Sequence, residues 1–214
     1  MTRLLPIASF GITVLAAGSS RRMGTPKQLL PFMGQSLLAR AVETALASGA
    51  AATVVVLGAG APRMTEEISR YPVDIFVNER HEEGMAGSLA KGLERMMERH
   101  PEVEGVVIMV CDQPGVTGDH LVNLVKEQRS SGMAIVSTAY GNTHGVPALF
   151  HRSLFAELLQ LKGDHGARSL IEAHAAQAGR VAFPEAAVDI DTPEAYQALT
   201  GARGGASGFE LEGA

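Results

Sequence analysis

The chain has 214 residues, 46% of them apolar, with a net charge of −5 and a pI near 5.8. That length buries a substantial core and fits one domain, and an acidic chain offers no overall basic field for a nucleic-acid backbone, so nucleic acid is excluded as a partner. The single cysteine, Cys111, cannot close an intramolecular disulfide, which fits a reducing compartment, the cytoplasm.

At the N-terminus, Arg3 and the apolar stretch up to Ala16, Ala17 and Gly18 imitate a secretory signal. Pro6, Ser9, Gly11 and Thr13 interrupt the stretch, and cleavage there would discard the first strand, so the signal reading is rejected. No segment approaches the roughly 20 consecutive apolar residues of a membrane span, and the sequence reads as soluble. Ile12, Thr13, Val14 and Leu15 form a β-branched, apolar run suited to a buried strand. It breaks into Ala16, Ala17, Gly18, Ser19 and Ser20, small residues that let a backbone approach a ligand. Arg21, Arg22 and Lys27 bring cations to the same loop, while Gly24 and Pro26 shape its exit, so amides and cations together suit a triphosphate. The loop is not a P-loop, because Gly24 is followed by Thr25 and Lys27 arrives three residues later. A flexible basic loop explains the charges but not the fixed placement of Gly18, Arg22, Gly24 and Lys27.

Leu15 through Lys27 match L-A-[AG]-G-x-S-x-R-M-G-x-x-K throughout. This pattern resembles the signature of nucleotidyltransferases that load a nucleoside monophosphate onto an acceptor. Within them it is most similar to the molybdenum-cofactor cytidylyltransferases and their molybdopterin guanylyltransferase cousins. The resemblance implies a Rossmann-like fold and nucleotide contacts from Leu15, Ala16, Ala17, Gly18, Ser19, Arg22 and Lys27. It also implies catalytic roles for Arg22, Lys27 and a magnesium-binding aspartate further along the chain.

Residues 36–48 carry an apolar stripe, Leu37, Leu38, Ala41, Val42, Ala45 and Leu46, that predicts a helix ending at Gly49. Residues 53–57 form a second buried strand, followed by Gly58-Ala59-Gly60-Ala61-Pro62. Those glycines match the start of a dinucleotide fingerprint, but Arg63 stands where the third small residue belongs, and an ordinary turn into a helix at 62–69 is the competing reading. A third strand, 73–77, ends at Asn78, at the edge where open parallel sheets meet ligands. The resemblance implies that Asn78 and the following Gly84-containing segment, with Ser88, line the nucleotide pocket. Met85, Leu89, Leu93 and Met96 read as a buried helical stripe. Residues 106–110 are so uniformly apolar that they predict a central strand covered on both faces. It delivers Cys111, Asp112, Gln113 and Pro114 to the carboxyl edge, where Asp112 either caps a turn or supplies a hard oxygen ligand. The resemblance, in which a C-D-x-P segment holds magnesium, selects the metal reading for Asp112.

A helix over 117–129 and a strand over 134–139 follow, then a turn over 141–147 into the short run Ala148-Leu149-Phe150. The cytidylyltransferase resemblance continues here and implies an acceptor-binding side built from His144, Gly145, Pro147, Asp164 and Arg168. None of the seven histidines shows zinc-ligand spacing. Val188-Asp189-Ile190-Asp191 predicts a strand running into a helix at Thr192 and Pro193, a segment like one the resembling families carry. Asp189 and Asp191 are two apart and share a strand face, so either can complete metal binding with Asp112, and Asp191 is the assigned second ligand. Residues 201–214 are glycine-rich without apolar periodicity and predict a disordered tail.

The strand-helix alternation predicts a three-layer α/β/α fold with a mainly parallel sheet in one domain over 1–200, with an antiparallel excursion over 134–190. The resemblance, which runs to about Tyr196, implies transfer of CMP from CTP to the terminal phosphate of molybdenum-loaded molybdopterin, with Mg2+ as cofactor and a client molybdoenzyme as an open second partner. CTP is favoured over GTP because Ala17 takes the alanine form of the cytidylyltransferase branch. Guanylyltransferases carry glycine there, and a methyl group would crowd a purine. A sugar phosphate or other small phosphate as acceptor, a nicotinamide-binding redox module and a non-catalytic cofactor carrier are the alternatives.

Overall fold

The computed structural model describes residues 4–20 and 23–204. Strand β1 (Phe10–Ala16) is buried along its whole length. A two-residue hairpin pair, β2 (Pro31–Phe32) and β3 (Gln35–Ser36), leads into α1 (Leu37–Ala47). Ser36 caps that helix by accepting from Ala39 N at 3.0 Å, a bond typically contributing about 1 kcal/mol. Then come β4 (Ala52–Leu57), α2 (Ala61–Ile68), β5 (Asp74–Val77), α3 (Met85–Arg99), β6 (Gly105–Val110) and α4 (Gly118–Ser131). The last third contains β7 (Ile135–Tyr140), β8 (Thr143–His151), α5 (Phe155–Leu159), α6 (Ala167–Ala173), β9 (Ala178–Ala182) and α7 (Pro193–Gly204).

Seven strands form one sheet in the order β5-β4-β1-β6-β8-β7-β9. Every neighbouring pair is parallel except the two that β8 makes with β6 and β7. Period-2 alternation in β1 sends Ile12, Val14 and Ala16 to one face, where α1, α2 and α4 add Leu38, Met64 and Leu121. Leu15 on β1, with Val54 and Val56 on β4, packs on the other face against Leu89 and Leu93 of α3, Leu158 of α5 and Ile171 of α6. The result is the predicted three-layer α/β/α arrangement, and the antiparallel excursion lies where residues 134–190 placed it. Strands β1 and β6 are adjacent and parallel, so their carboxyl ends, which carry the glycine-rich loop and Asp112, emerge side by side.

Four expectations need correction. The segment after β7 is not a turn over 141–147: Tyr140 pairs directly with Thr143 across Gly141-Asn142, with Gly141 at φ +57°, so β8 begins at Thr143 rather than Ala148. Gly-Asn between two paired strands is a hairpin signature, which makes this turn legible in retrospect. Residues 188–191 form no strand; their backbone is tied to the end of β6 by the bond from Ile190 N to the Asp112 carbonyl at 2.9 Å. Met85 is 47% exposed rather than part of the buried stripe, because it occupies the first turn of α3 at the sheet's carboxyl edge. Finally, helix α7 continues past 201 to Gly204; the rest of the expected tail lies outside the described residues. Strands β2, β3 and β9 had no apolar run to announce them, β2 and β3 being two residues each and β9 an Ala/Gly-rich edge strand.

Candidate active site

Where β1 ends, Leu15, Ala16, Ala17, Gly18 and Ser19 line a pocket of about 390 Å³, within the size range of small-molecule sites. The wall across from them is formed by His81, Glu82, Gly84, Met85 and Ser88, and the floor by Val110, Cys111 and Asp112 from the end of β6. Gln28 shapes the loop. It is 1% exposed, its Nε2 donates to the carbonyls of Ala16 at 3.0 Å and Gly18 at 2.7 Å, and its Oε1 accepts from Ser20 Oγ at 3.2 Å. Ser20, at φ +51°, also accepts from Lys27 N at 3.0 Å, so the loop is tied back onto the start of the 3₁₀ turn Lys27–Leu29. Turned inward by Gln28, these two carbonyls leave the small-residue edge of the loop facing the pocket. Gln28 was not singled out from sequence; a buried amide beside the motif lysine is its only signal.

The Lys27 side chain reaches across to the carboxylates. Its Nζ lies 2.5 Å from Asp112 Oδ2 and 2.7 Å from Asp191 Oδ1. Burial alone pulls the ammonium's pKa down, but Asp112 and then Asp191 outweigh it, so the pKa is raised and Lys27 stays charged. Asp112 arrives here because β6 is a central strand, and Asp191 because the Ile190 amide is pinned to the Asp112 carbonyl. Asp112 Oδ1 is buried without a hydrogen-bond partner, leaving one carboxylate oxygen of the pair uncommitted. Asp189 next to it is pushed up, first by desolvation and then by Asp112. The buried thiol of Cys111 is pushed up to about 12 by desolvation, so it is a neutral wall and no nucleophile.

Among the described residues no group of three or more His, Cys, Asp or Glu is arranged to hold a metal. The pair Asp112 and Asp191, with the uncommitted Asp112 Oδ1, is nevertheless a hard-oxygen set of the kind Mg2+ or Mn2+ takes when substrate phosphates and water complete its coordination. The residues present therefore fit a divalent cation that arrives with a ligand.

Of the other expected site residues, Gly84, Ser88 and Asp164 line the pocket. Asn78 sits behind the wall, 6% exposed, donating from Nδ2 to Ser88 Oγ at 3.0 Å and accepting from Arg80 N at 3.1 Å, so it positions Ser88. The acceptor set is not gathered at the pocket: His144, Gly145, Pro147 and Arg168 stand outside its lining, and Arg168 pairs with Glu172 at 2.8 Å and donates to Thr143 Oγ1 at 3.2 Å. Asp164 joins the pocket wall that carries Gly84 because Gly84 packs against the Gly163 carbonyl, which also accepts from Ala86 N at 3.0 Å. Arg22 lies outside the described residues. His81, Glu82, Met85 and Cys111 were missed as pocket residues; their backbone position at the sheet's carboxyl edge, after β5 and β6, was the available signal.

The partial dinucleotide fingerprint is an ordinary turn. A side chain at Gly58 would meet the Ala17 carbonyl at 2.5 Å and His81 Cβ at 2.8 Å, so the space beside this glycine is filled by the backbone of the loop after β1 and by His81. Gly60, at φ +76°, is the residue before α2.

Comparison with known proteins agrees with this geometry. The sequence model described as the MobA-like NTP transferase domain matches residues 12–178. The purine catabolism protein PucB of Bacillus subtilis is 32% identical over 196 residues, covering 85% of this chain and 91% of that protein. The nicotine blue oxidoreductase of Paenarthrobacter nicotinovorans is 32% identical over 165 residues, covering 72% and 78% of the two chains. Among solved structures, the manganese complex of Rv0371c from Mycobacterium tuberculosis superposes with a TM-score of 0.75 at 28% identity, over 90% of this chain and 98% of that one. With a glycine-containing loop on β1, an aspartate on β6 and a lysine between them, the chain belongs to the MobA-like NTP transferase family and is a nucleotidyltransferase.

Proposed function

We propose that the protein transfers CMP from CTP to the terminal phosphate of molybdenum-loaded molybdopterin, releasing pyrophosphate and forming the cytosine dinucleotide cofactor. The observation that carries nucleotidyl transfer is the Lys27 ammonium held between Asp112 and Asp191 at the pocket's floor, beside the Leu15–Ser19 loop. An acceptor phosphate oxygen attacks the α-phosphorus in line; the new P–O bond forms as the bond to the β-phosphate oxygen breaks, and pyrophosphate leaves. A phosphate monoester is already anionic near neutral pH, so no side chain need act as nucleophile, and the neutral Cys111 thiol is consistent with that. Lys27 and, by the signature, Arg22 neutralise charge developing on the triphosphate, while Gln28 keeps the loop edge in place. A divalent cation held by Asp112 and Asp191 supplies Lewis-acid stabilisation to the same phosphates. One relative of known structure, Rv0371c, was solved in complex with manganese.

The choice of CTP rests on Ala17, which lines the pocket while 6% exposed, so its methyl group has little room to yield to a larger base. The molybdopterin acceptor rests on the signature over residues 15–27. A hydride-transfer reading, which the name of one relative suggests, would need Gly58 and Gly60 to cradle a dinucleotide, and Gly58 is already filled. The test is pyrophosphate release by the purified protein with Mg2+ and molybdenum-loaded molybdopterin, comparing CTP, GTP and ATP. Release with CTP alone is expected. Release with GTP overturns the base assignment and keeps the chemistry; no release with any nucleotide removes the molybdopterin acceptor and directs the search to sugar phosphates.

A further inference from the structure

The Lys27 ammonium contacts the two carboxylates assigned to the metal, at 2.5 Å from Asp112 and 2.7 Å from Asp191. A divalent cation ligated by those oxygens would stand about 2.0–2.6 Å from them. A cation bridging Asp112 Oδ2 and Asp191 Oδ1 therefore needs the space the ammonium fills, and two positive centres repel strongly there because the Lys27 and Asp112 side chains are only 14% and 17% exposed, with Asp191 at 41% on the open side.

Charge decides which occupant the site takes. A bare divalent cation would set a second positive centre against the ammonium where Lys27 and Asp112 are mostly buried, whereas a cation arriving on a nucleoside triphosphate brings more negative charge than it carries. The triphosphate then offers the displaced ammonium new oxygens beside the Leu15–Ser19 loop, which borders the same pocket. The backbone of Lys27 stays tied to Ser20 Oγ and neighbouring Gln28 to the loop carbonyls, so only the flexible four-carbon stem has to swing.

We propose that Lys27 is a selectivity element: it excludes free divalent cations from the Asp112–Asp191 pair and admits them only as a complex with the nucleotide. This rests on the reading of Asp112 and Asp191 as the metal-binding carboxylates, and it assigns Lys27 a role before any chemistry occurs. Metal and nucleotide then enter together, and free cation and Lys27 are competitive occupants of one position.

The experiment measures binding of Mn2+ alone, without nucleotide, by electron paramagnetic resonance of the free ion. It compares wild type, Lys27→Met, Lys27→Arg, and Lys27→Met combined with Asp112→Asn, each first checked for native circular dichroism. Lys27→Met is expected to bind Mn2+ at least ~10-fold more tightly than wild type, within the usual range of coupling between two occupants. Lys27→Arg keeps the charge and should stay weak, and the double variant should lose the gain. A gain in Lys27→Arg equal to that in Lys27→Met would mean that a loosened loop is responsible, and a gain that survives Asp112→Asn would place the ion elsewhere; either overturns the proposal. Equal, Asp112-dependent binding in wild type and Lys27→Met overturns the exclusion while leaving the metal site standing. No binding in any form overturns both the exclusion and the metal assignment. Should Lys27→Met not fold, Lys27→Gln takes its place, and the wild type alone still decides between the outcomes: Mn2+ without nucleotide is expected to leave its melting temperature unchanged, and an Asp112-dependent rise would sink the idea.

Discussion

Two neighbouring parallel strands, β1 and β4, both leave the carboxyl edge of the sheet through a glycine, Gly18 and Gly58, and the two turns have opposite surroundings. Among the described residues nothing lies within 4 Å of a side chain built at Gly18, whereas one built at Gly58 meets the Ala17 carbonyl at 2.5 Å and His81 at 2.8 Å. The first glycine borders a space for a ligand; the second is where one turn packs on another. The same residue type at the same place in a βα unit thus has two physical meanings, and what separates them is whether the volume beside the backbone is filled. Gln28 makes the difference at β1 by drawing the carbonyls of Ala16 and Gly18 toward itself, and β4 has no counterpart among the hydrogen bonds of its turn.

If the open turn carries the reaction, the largest effect belongs to the cation beside it. Lys27→Ala is expected to lower turnover by ~10²-fold or more, the loss seen when a group stabilising transition-state charge is removed. Steady-state pyrophosphate release measures this, and unchanged turnover would detach the reaction from this loop. At the filled turn the effect should appear in stability. Gly58→Ala forces a methyl group onto the Ala17 carbonyl, and such overpacking costs about 1–3 kcal/mol, or about 2–4 °C of melting temperature per kcal/mol at this size. A variant as stable as wild type would show that the β4 turn has room and remove the contrast.

The contrast also explains what could be read from the sequence. Strands β1, β4 and β6 were legible because they are buried almost throughout and therefore appear as continuous apolar runs, each punctuated by small or polar residues. Loop residues 15–19 and Asp112 were legible for a related reason: they lie within a few residues of a strand end, and the sheet's parallel order brings strand ends together, whereas Lys27, well beyond the end of β1, was legible only through the signature. Filling was not legible. Neither the packing of Ala17 on Gly58 nor that of Gly163 on Gly84 leaves a trace in local sequence, since each depends on segments far apart in the chain. The acceptor side was the least readable, because β8 runs antiparallel between β6 and β7 and its residues are placed by pairing rather than by a βα repeat.

That side holds a filled polar position of its own. His120 on α4 is 2% exposed, stacks on Phe183 with ring centroids 4.2 Å apart, and has Nε2 2.7 Å from Thr138 Oγ1, which in turn donates to the Pro147 carbonyl at 2.5 Å. With its hydroxyl proton committed to Pro147, Thr138 can only accept from His120, so Nε2 carries a proton. Burial lowers its pKa to about 4. The unfolded chain, with histidine near 6.5, binds the proton more readily, so stability falls as pH drops through the window from about 6.5 to 4. At pH 5 the loss relative to pH 7 is about 2 kcal/mol from this residue. Urea denaturation of wild type and His120→Gln at both pH values checks it: the wild type should lose more stability on acidification than the variant, and equal losses would mean that His120 is not held neutral.

The smallest effect on the fold, and the sharpest test of the comparison, is expected at the open turn itself. Gly18 is outside the left-handed backbone region and has no neighbour among the described residues within 4 Å of an added methyl group, so Gly18→Ala should leave stability within about 0.5 kcal/mol of wild type. The methyl group would instead stand where the backbone must approach the nucleotide, and KM for CTP should rise by at least ~10-fold, equivalent to about 1.4 kcal/mol of lost binding. Thermal melting and initial-rate kinetics on one preparation read both quantities. A lower melting temperature would show that the space beside Gly18 is occupied by protein, as at Gly58. An unchanged KM would show that it is empty of ligand as well, and the loop would then be a turn of the same kind as its neighbour.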